Sequence, residues 1–172
     1  VSMNFGPEAM RELDGFRCGT YEPMNPGLLP PMYLAYGLEI PKSVQIGTRS
    51  LIERYREGNT EVLAAVEGLK QCTVEAREAI LSGDVSRFGQ MIDEGFRWRR
   101  RVIPIREEYL RMVEMAHASG LSAGFTGSGG AIIGVCPDDE TFRKFSKAME
   151  SLHCRVIRPI ITDQTTIGTD RT

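Results

Sequence analysis

With 172 residues, 41% of them hydrophobic and 26% charged, the chain is long enough for one ordinary domain with a sizeable core. A net charge of -2 and a pI of about 5.8 argue against a general nucleic-acid binder, which carries a basic excess. No apolar run approaches the ~20 residues of a membrane helix, and four cysteines without a C-x-x-C pair, beside two histidines, argue against a zinc site.

The chain opens VSMNF, which alternates apolar and polar residues as the end of a half-buried strand does, and position 1 is not methionine. An upstream portion is therefore expected. Residues 6–14 read as a short helix, and residues 15–31, rich in Gly and Pro, as a loop. MYLAY, residues 32–36, is short, aromatic and apolar, and predicts a buried strand with Tyr33 and Tyr36 in the core.

Four helices follow. The first spans residues 44–57 and stops at Gly58. The second opens at the N-cap Asn59, closes at Gly83, and carries Val62, Val66, Leu69, Thr73, Ala76 and Ile80 at three- and four-residue steps, which predicts one buried stripe. The third covers residues 85–102, capped by Asp84, with Phe88, Met91, Ile92 and Phe96 on its apolar side. The fourth covers residues 107–119 and ends at Gly120. Strands are then predicted over residues 121–125 and 131–135. A helix capped by Asp138 runs to residue 152, a last strand covers residues 154–161, and the polar tail from residue 162 carries no period. This order, strand, helix, two strands, helix, strand, is the split βαβ or ferredoxin-like α+β arrangement, βαββαβ, with three helices inserted after the first strand.

The hairpin between the middle strands reads FTGSGGAIIGV. A turn needing positive φ explains two of its glycines. Gly124, Gly127, Gly129, Gly130 and Gly134 crowd the same hairpin, and that density also suits close approach by a backbone or ligand. Successive glycine N–H groups can converge on an anion such as phosphate, with Thr126 and Ser128 adding hydroxyls. No lysine follows, as the P-loop requires, and a strand rather than a helix comes next, unlike the dinucleotide fingerprint.

A second cluster is FRWRRR. Its arginines suit the C-terminal end of a helix, where cations are favoured. At ~100° per residue Arg97 and Arg101 share a face and Arg99 points elsewhere. Trp98 reads as packing. Asp138, Asp139, Glu140, Glu107 and Glu108 read as helix N-terminal charges, and His117 and His153 as surface or packing residues.

FTGSGGAIIGV resembles the third glycine motif of the GHMP kinases, which lies in a C-terminal domain of ferredoxin-like topology. LLPPMYLAY, RYREGN, REAILSGD, FRWRRR and MVEMAHASG, in that order, resemble the C-terminal half of glucuronokinase-type sugar kinases. The resemblance implies ATP-dependent phosphorylation of a sugar hydroxyl, the anomeric one in such a kinase, with Mg2+ accompanying ATP. It implies that Thr126, Gly127, Ser128, Gly129 and Gly130 contact the nucleotide's phosphates, and that Arg100 and Arg101 meet the substrate. The catalytic carboxylate and main ATP loop of such kinases belong to an N-terminal domain, and neither is found in these residues. Residues 1–31 are then the end of an upstream domain and a linker, 32–161 the GHMP C-terminal domain, and 162–172 a tail. The partners expected are the sugar and that N-terminal domain, in the cytoplasm, with no nucleic acid and no membrane.

The pattern departs from glucuronokinases where Arg97 replaces an aspartate before the arginine run, and where PKSV stands in place of a Gly-Lys-Val-His-like segment. These departures leave the acceptor open among uronic acid, galactose, heptose phosphate and mevalonate. A stand-alone ferredoxin-like ligand-binding or regulatory module is the alternative from another class.

Overall fold

A computed structural model describes residues 1–38, 48–127 and 130–161. The described residues include two compact units, Val1–Leu29 and Pro30–Ile160.

In the first unit, β1 (Ser2–Asn4) pairs antiparallel with β4 (Thr20–Glu22), and β2 (Arg11–Leu13) pairs with β3 (Phe16–Cys18). The helix expected over residues 6–14 is only a single 3-10 turn at Pro7–Ala9, and the expected loop contains β3 and β4. The physical reason is the Asp14-Gly15 pair. Both residues take positive φ, 50° and 80°, as the tight turn of a two-residue hairpin requires.

The second unit is built on one antiparallel sheet. β5 (Met32–Gly37) lies at its centre, followed in the chain by α1 (Thr48–Arg56), α2 (Thr60–Ser82), α3 (Val85–Val102) and α4 (Glu107–Ala118). β6 (Gly124–Phe125), β7 (Ala131–Val135), α5 (Asp139–Glu150) and β8 (Cys154–Ile157) complete it. The strand order β6-β7-β5-β8 is that of the split βαβ fold, with α1–α3 as the inserted helices. The α+β ferredoxin-like expectation therefore holds. The expected first helix begins, among the described residues, at Thr48; PKSV lies outside them.

One sheet face makes the core. Tyr33, Ala35 and Ile132 meet Met112, Val113 and Ala116 of α4 and Phe145 and Met149 of α5. Fully burying an apolar side chain of this size contributes about 1.5–3 kcal/mol. The Tyr33 and Phe145 rings meet edge to face, with centroids 4.8 Å apart. Burial, reinforced by the nearby Asp93 and Cys136, raises the Tyr33 pKa well above its ordinary value, so the phenol keeps its proton and donates a hydrogen bond to the Ser122 carbonyl at 2.8 Å. Tyr36 points to the other face and is only half-buried, so it is not the core residue expected.

The helices end where local chemistry ends them. The Asn59 side chain accepts from the Val62 N–H at 3.1 Å, and Gly83 closes α2 in the left-handed conformation at φ 73°. Asn59→Ala should cost about 1 kcal/mol, read as a lower urea midpoint at unchanged slope.

The buried stripe of α2 is rotated from the one expected. Val62, Ala65, Cys72 and Ala79 are buried, whereas Val66 and Thr73 are exposed. Close pairing with α3 selects small residues rather than the largest apolar ones, as where the Trp98 ring lies against Gly68. Val62, Ala65 and Val102 form a second, smaller core with Leu51, Trp98 and Ile103 beside it.

Two strands are shorter than expected. β8 stops at Ile157 because Pro159, with no N–H, cannot continue the ladder; Arg158 instead donates to the Asp138 carbonyl at 2.8 Å and lies over the Phe142 ring. β6 begins only at Gly124 because its approach is claimed by side chains. Ser122 Oγ accepts from the Val135 N–H at 3.0 Å, and the Ala123 N–H donates to Asp93 Oδ1 at 2.8 Å.

Candidate functional site: the glycine hairpin and the arginine helix

The hairpin is closed by its own backbone. The Thr126 N–H donates to the Ala131 carbonyl at 3.2 Å, and the Thr126 hydroxyl donates to the same oxygen at 3.3 Å. That hydroxyl's proton, counted in the sequence as a donor for an anion, is spent within the hairpin. Gly127 and Gly130 have φ of 47° and 89°, the left-handed region that only glycine occupies without strain. A Cβ on Gly127 would meet nothing within 4 Å, so the main chain there is uncovered. Gly130 borders the first turn of α4, with the Tyr109 hydroxyl 4.0 Å from the position of an added Cβ. Ser128 and Gly129 lie outside the described residues.

The segment leading into the hairpin is pinned from two helices. Asp93 Oδ1 accepts from the Ala123 N–H and lies 2.9 Å from His117 Nε2, tying α3, α4 and the approach to β6 together. His117 is thus a surface residue with a defined partner. Behind the hairpin, Phe125 stacks edge to face on Phe96 and Tyr109, with centroids 5.2 and 5.7 Å away.

The arginines of α3 diverge. Arg97 is exposed and pairs with Glu94 at 3.0 Å. Arg100 is exposed. Arg101 is exposed with its guanidinium 4.2 Å from the centre of the Trp98 ring, a cation–π contact. Trp98 packs on the small core, as expected. Arg100 and Arg101 are therefore accessible but not gathered into one pocket with the glycines.

Arg99 is the arginine the sequence reading passed over. It is half-buried and lines a cavity of about 310 Å³ between α2, α3 and the β6–β7 hairpin. Helical phase holds the signal: Ile92, Phe96 and Arg99 recur at i, i+4 and i+7 on the side that meets the sheet.

Other charges play structural parts. Asp138 caps α5 by accepting from the Thr141 N–H at 2.7 Å, and hydrogen bonds to Thr141 hold its carboxyl below the ordinary range. Arg106 binds Glu108 in the first turn of α4 and brings the Glu108 pKa down to about 2. Among the described residues no three histidines, cysteines or carboxylates gather where a metal ion could sit, and all four cysteines are free thiols. No helix among the described residues is long and apolar enough to cross a membrane.

This topology and this hairpin define an α+β domain whose uncovered main chain sits at a sheet's bend. Residues 76–155 match the protein-family model for GHMP kinases C terminal. The chain is 31% identical over 142 residues to Glucuronokinase 1 of Arabidopsis thaliana, covering 80% of this chain and 38% of that protein. It is 30% identical over 141 residues to Probable glucuronokinase 2 of the same plant, covering 80% and 37%. The chain thus spans well under half the length of these relatives. Among solved structures, L. major mevalonate kinase in complex with R-mevalonate superposes with a TM-score of 0.70 at 16% identity, over 87% of this chain and 47% of that one. Lactococcus lactis galactokinase complexed with galactose gives 0.56 at 14%, over 85% and 49%. These two likenesses support the fold alone.

Proposed function

We propose that residues 32–161 are the C-terminal lobe of an ATP-dependent sugar kinase of glucuronokinase type, working in the cytoplasm with an N-terminal lobe of the same polypeptide. The single observation that carries the reading is the open space at Gly127 in the glycine hairpin, in a chain similar in sequence to two glucuronokinases. The four free thiols suit a reducing compartment.

The residues present fit a nucleotide's phosphates in one respect: the open main chain at Gly127 leaves room that a side chain would fill. Gly127, Ser128, Gly129 and Gly130 would hold the phosphates through backbone N–H groups, while Thr126, whose N–H and hydroxyl both bond the Ala131 carbonyl, would set the mouth of the hairpin beside them. ATP, when bound, supplies the phosphoryl group, and Mg2+ comes with its phosphates. Phosphoryl transfer depends on positioning and charge stabilisation, so a wall of fixed main-chain dipoles is a sufficient contribution from this lobe. The proton acceptor for the sugar hydroxyl belongs to the other lobe. Arg100 and Arg101, accessible at the end of α3, would meet the acceptor's acid group.

The test uses the intact polypeptide with labelled ATP and glucuronate, galactose, heptose phosphate and mevalonate. Glucuronate is the expected acceptor, labelled at its anomeric position. Gly129→Val should lower kcat by about a hundredfold or more, the loss of positioned backbone donors, while the melting temperature changes little. Activity and stability falling in parallel would reduce the hairpin to a plain turn. Turnover by residues 32–161 alone would overturn the two-lobe reading.

A further inference from the structure

We propose that the cavity flanked by Arg99 is a binding site for a small amphipathic carboxylate, with a linear or aromatic hydrocarbon body. Its walls are hydrocarbon: Leu69 from α2, Ile92 and Phe96 from α3, Phe125 and Ile133 from the sheet. Arg99 is the charged side chain among its lining residues. At about 310 Å³ the cavity falls at the small end of ligand pockets, which run from ~300 to 1,000 Å³.

The guanidinium gives the cavity its chemistry. Among the described residues the Arg99 guanidinium makes no hydrogen bond and no ion pair, unlike that of Arg97 in the same run. Burial lowers its pKa, with no neighbouring carboxylate to compensate. Arginine nonetheless stays protonated near neutral pH, so the half-buried charge awaits a partner. A carboxylate supplies one in a bidentate geometry.

The walls decide the rest of the ligand. A sugar acid needs hydrogen-bonding groups for each hydroxyl, and beyond Arg99 the lining side chains offer only Thr73 at the exposed rim and the Cys72 thiol. A hydrocarbon body gains from the same walls. The site is therefore separate from the sugar site and stands without the kinase reading. Its roof is Gly124 and Phe125, the residues just before the glycine hairpin, so an occupant would stiffen the root of that hairpin.

The experiment titrates the 172-residue chain with octanoate, 1-octanol and glucuronate, following the methyl resonances of Ile92 and Ile133 and the heat of binding. Saturable octanoate binding is expected, with 1-octanol and the Arg99→Gln variant each weaker by at least about tenfold, the loss of one charge-assisted pair. Arg97→Gln should bind octanoate as the parent does. Arg99→Lys, which keeps the charge, should retain part of the affinity and guards against a folding artefact in Arg99→Gln. Ala76→Phe, filling the cavity from α2, should abolish binding. Equal affinity for octanoate and octanol, undiminished binding by Arg99→Gln, or no binding at all would overturn the proposal. So would glucuronate binding that depends on Arg99, which would return the cavity to the sugar site.

Discussion

Gly134→Ala is expected to lower the unfolding temperature of the Pro30–Ile160 unit by at least about 8 °C, the equivalent of about 4 kcal/mol or more in a chain of this size. Gly134 sits in β7 opposite Tyr33 of β5. A Cβ there would be driven into the Ser122 carbonyl oxygen and the edge of the Tyr33 ring. Neither neighbour can give way cheaply. The Ser122 carbonyl is backbone and already accepts from the Tyr33 hydroxyl at 2.8 Å, while Tyr33 is fully buried against Phe145. One methyl group would therefore break a buried hydrogen bond and push a core ring off its place. Gly95→Ala in α3 is the matched control. Its Cβ would meet only Leu69 Cδ2 at 3.9 Å, so the change should be neutral or stabilising by about 0.5–1 kcal/mol through helix propensity. Thermal melts followed by circular dichroism separate the two, and a Gly134→Ala protein that melts with the parent would remove close backbone approach as the reason for this glycine.

The contrast between these glycines shows what the sequence could convey. Helix punctuation was legible because capping is local chemistry: Asn59, Gly83, Asp84 and Asp138 act on backbone groups within three or four residues. Strand order was legible because alternating element types leave few topologies. The start of β6 was not, because the Ser122 carbonyl is claimed by Tyr33 and the Ala123 N–H by Asp93, while the Ser122 hydroxyl takes the Val135 N–H, partners up to 89 residues apart. The buried face of α2 was misread because a close helix pair rewards smallness, so Ala65, Cys72 and Ala79 go in while Val66 stays out. The β2–β3 hairpin lacks the usual signal as well: Leu13 and Phe16 are exposed, and only Asp14-Gly15 announces the turn. At the candidate site the glycine hairpin was evident as a motif. The arginine run could not declare which member turns inward until its phase was set against Ile92 and Phe96.

Asp93 should prove the other costly position. Asp93→Ala is expected to destabilise the unit by about 2–4 kcal/mol, a charge-assisted hydrogen bond plus an orphaned buried donor. The donor is the N–H of Ala123, a fully buried residue with no strand partner at that point in the ladder. Asp93→Asn keeps an acceptor oxygen in the same place and should recover most of the loss. His117→Ala should cost less than about 1 kcal/mol, since a half-exposed pair is worth little beside a buried backbone bond. Urea unfolding of the three variants distinguishes the contributions. Amide exchange at Ala123 gives a second readout: its protection should collapse in Asp93→Ala and persist in His117→Ala. If His117→Ala proved as costly as Asp93→Ala, the surface pair rather than the buried amide would hold α3 and α4 to the root of the hairpin. The hairpin glycines would then be positioned by a contact open to solvent and salt, instead of by a backbone anchor shielded from both.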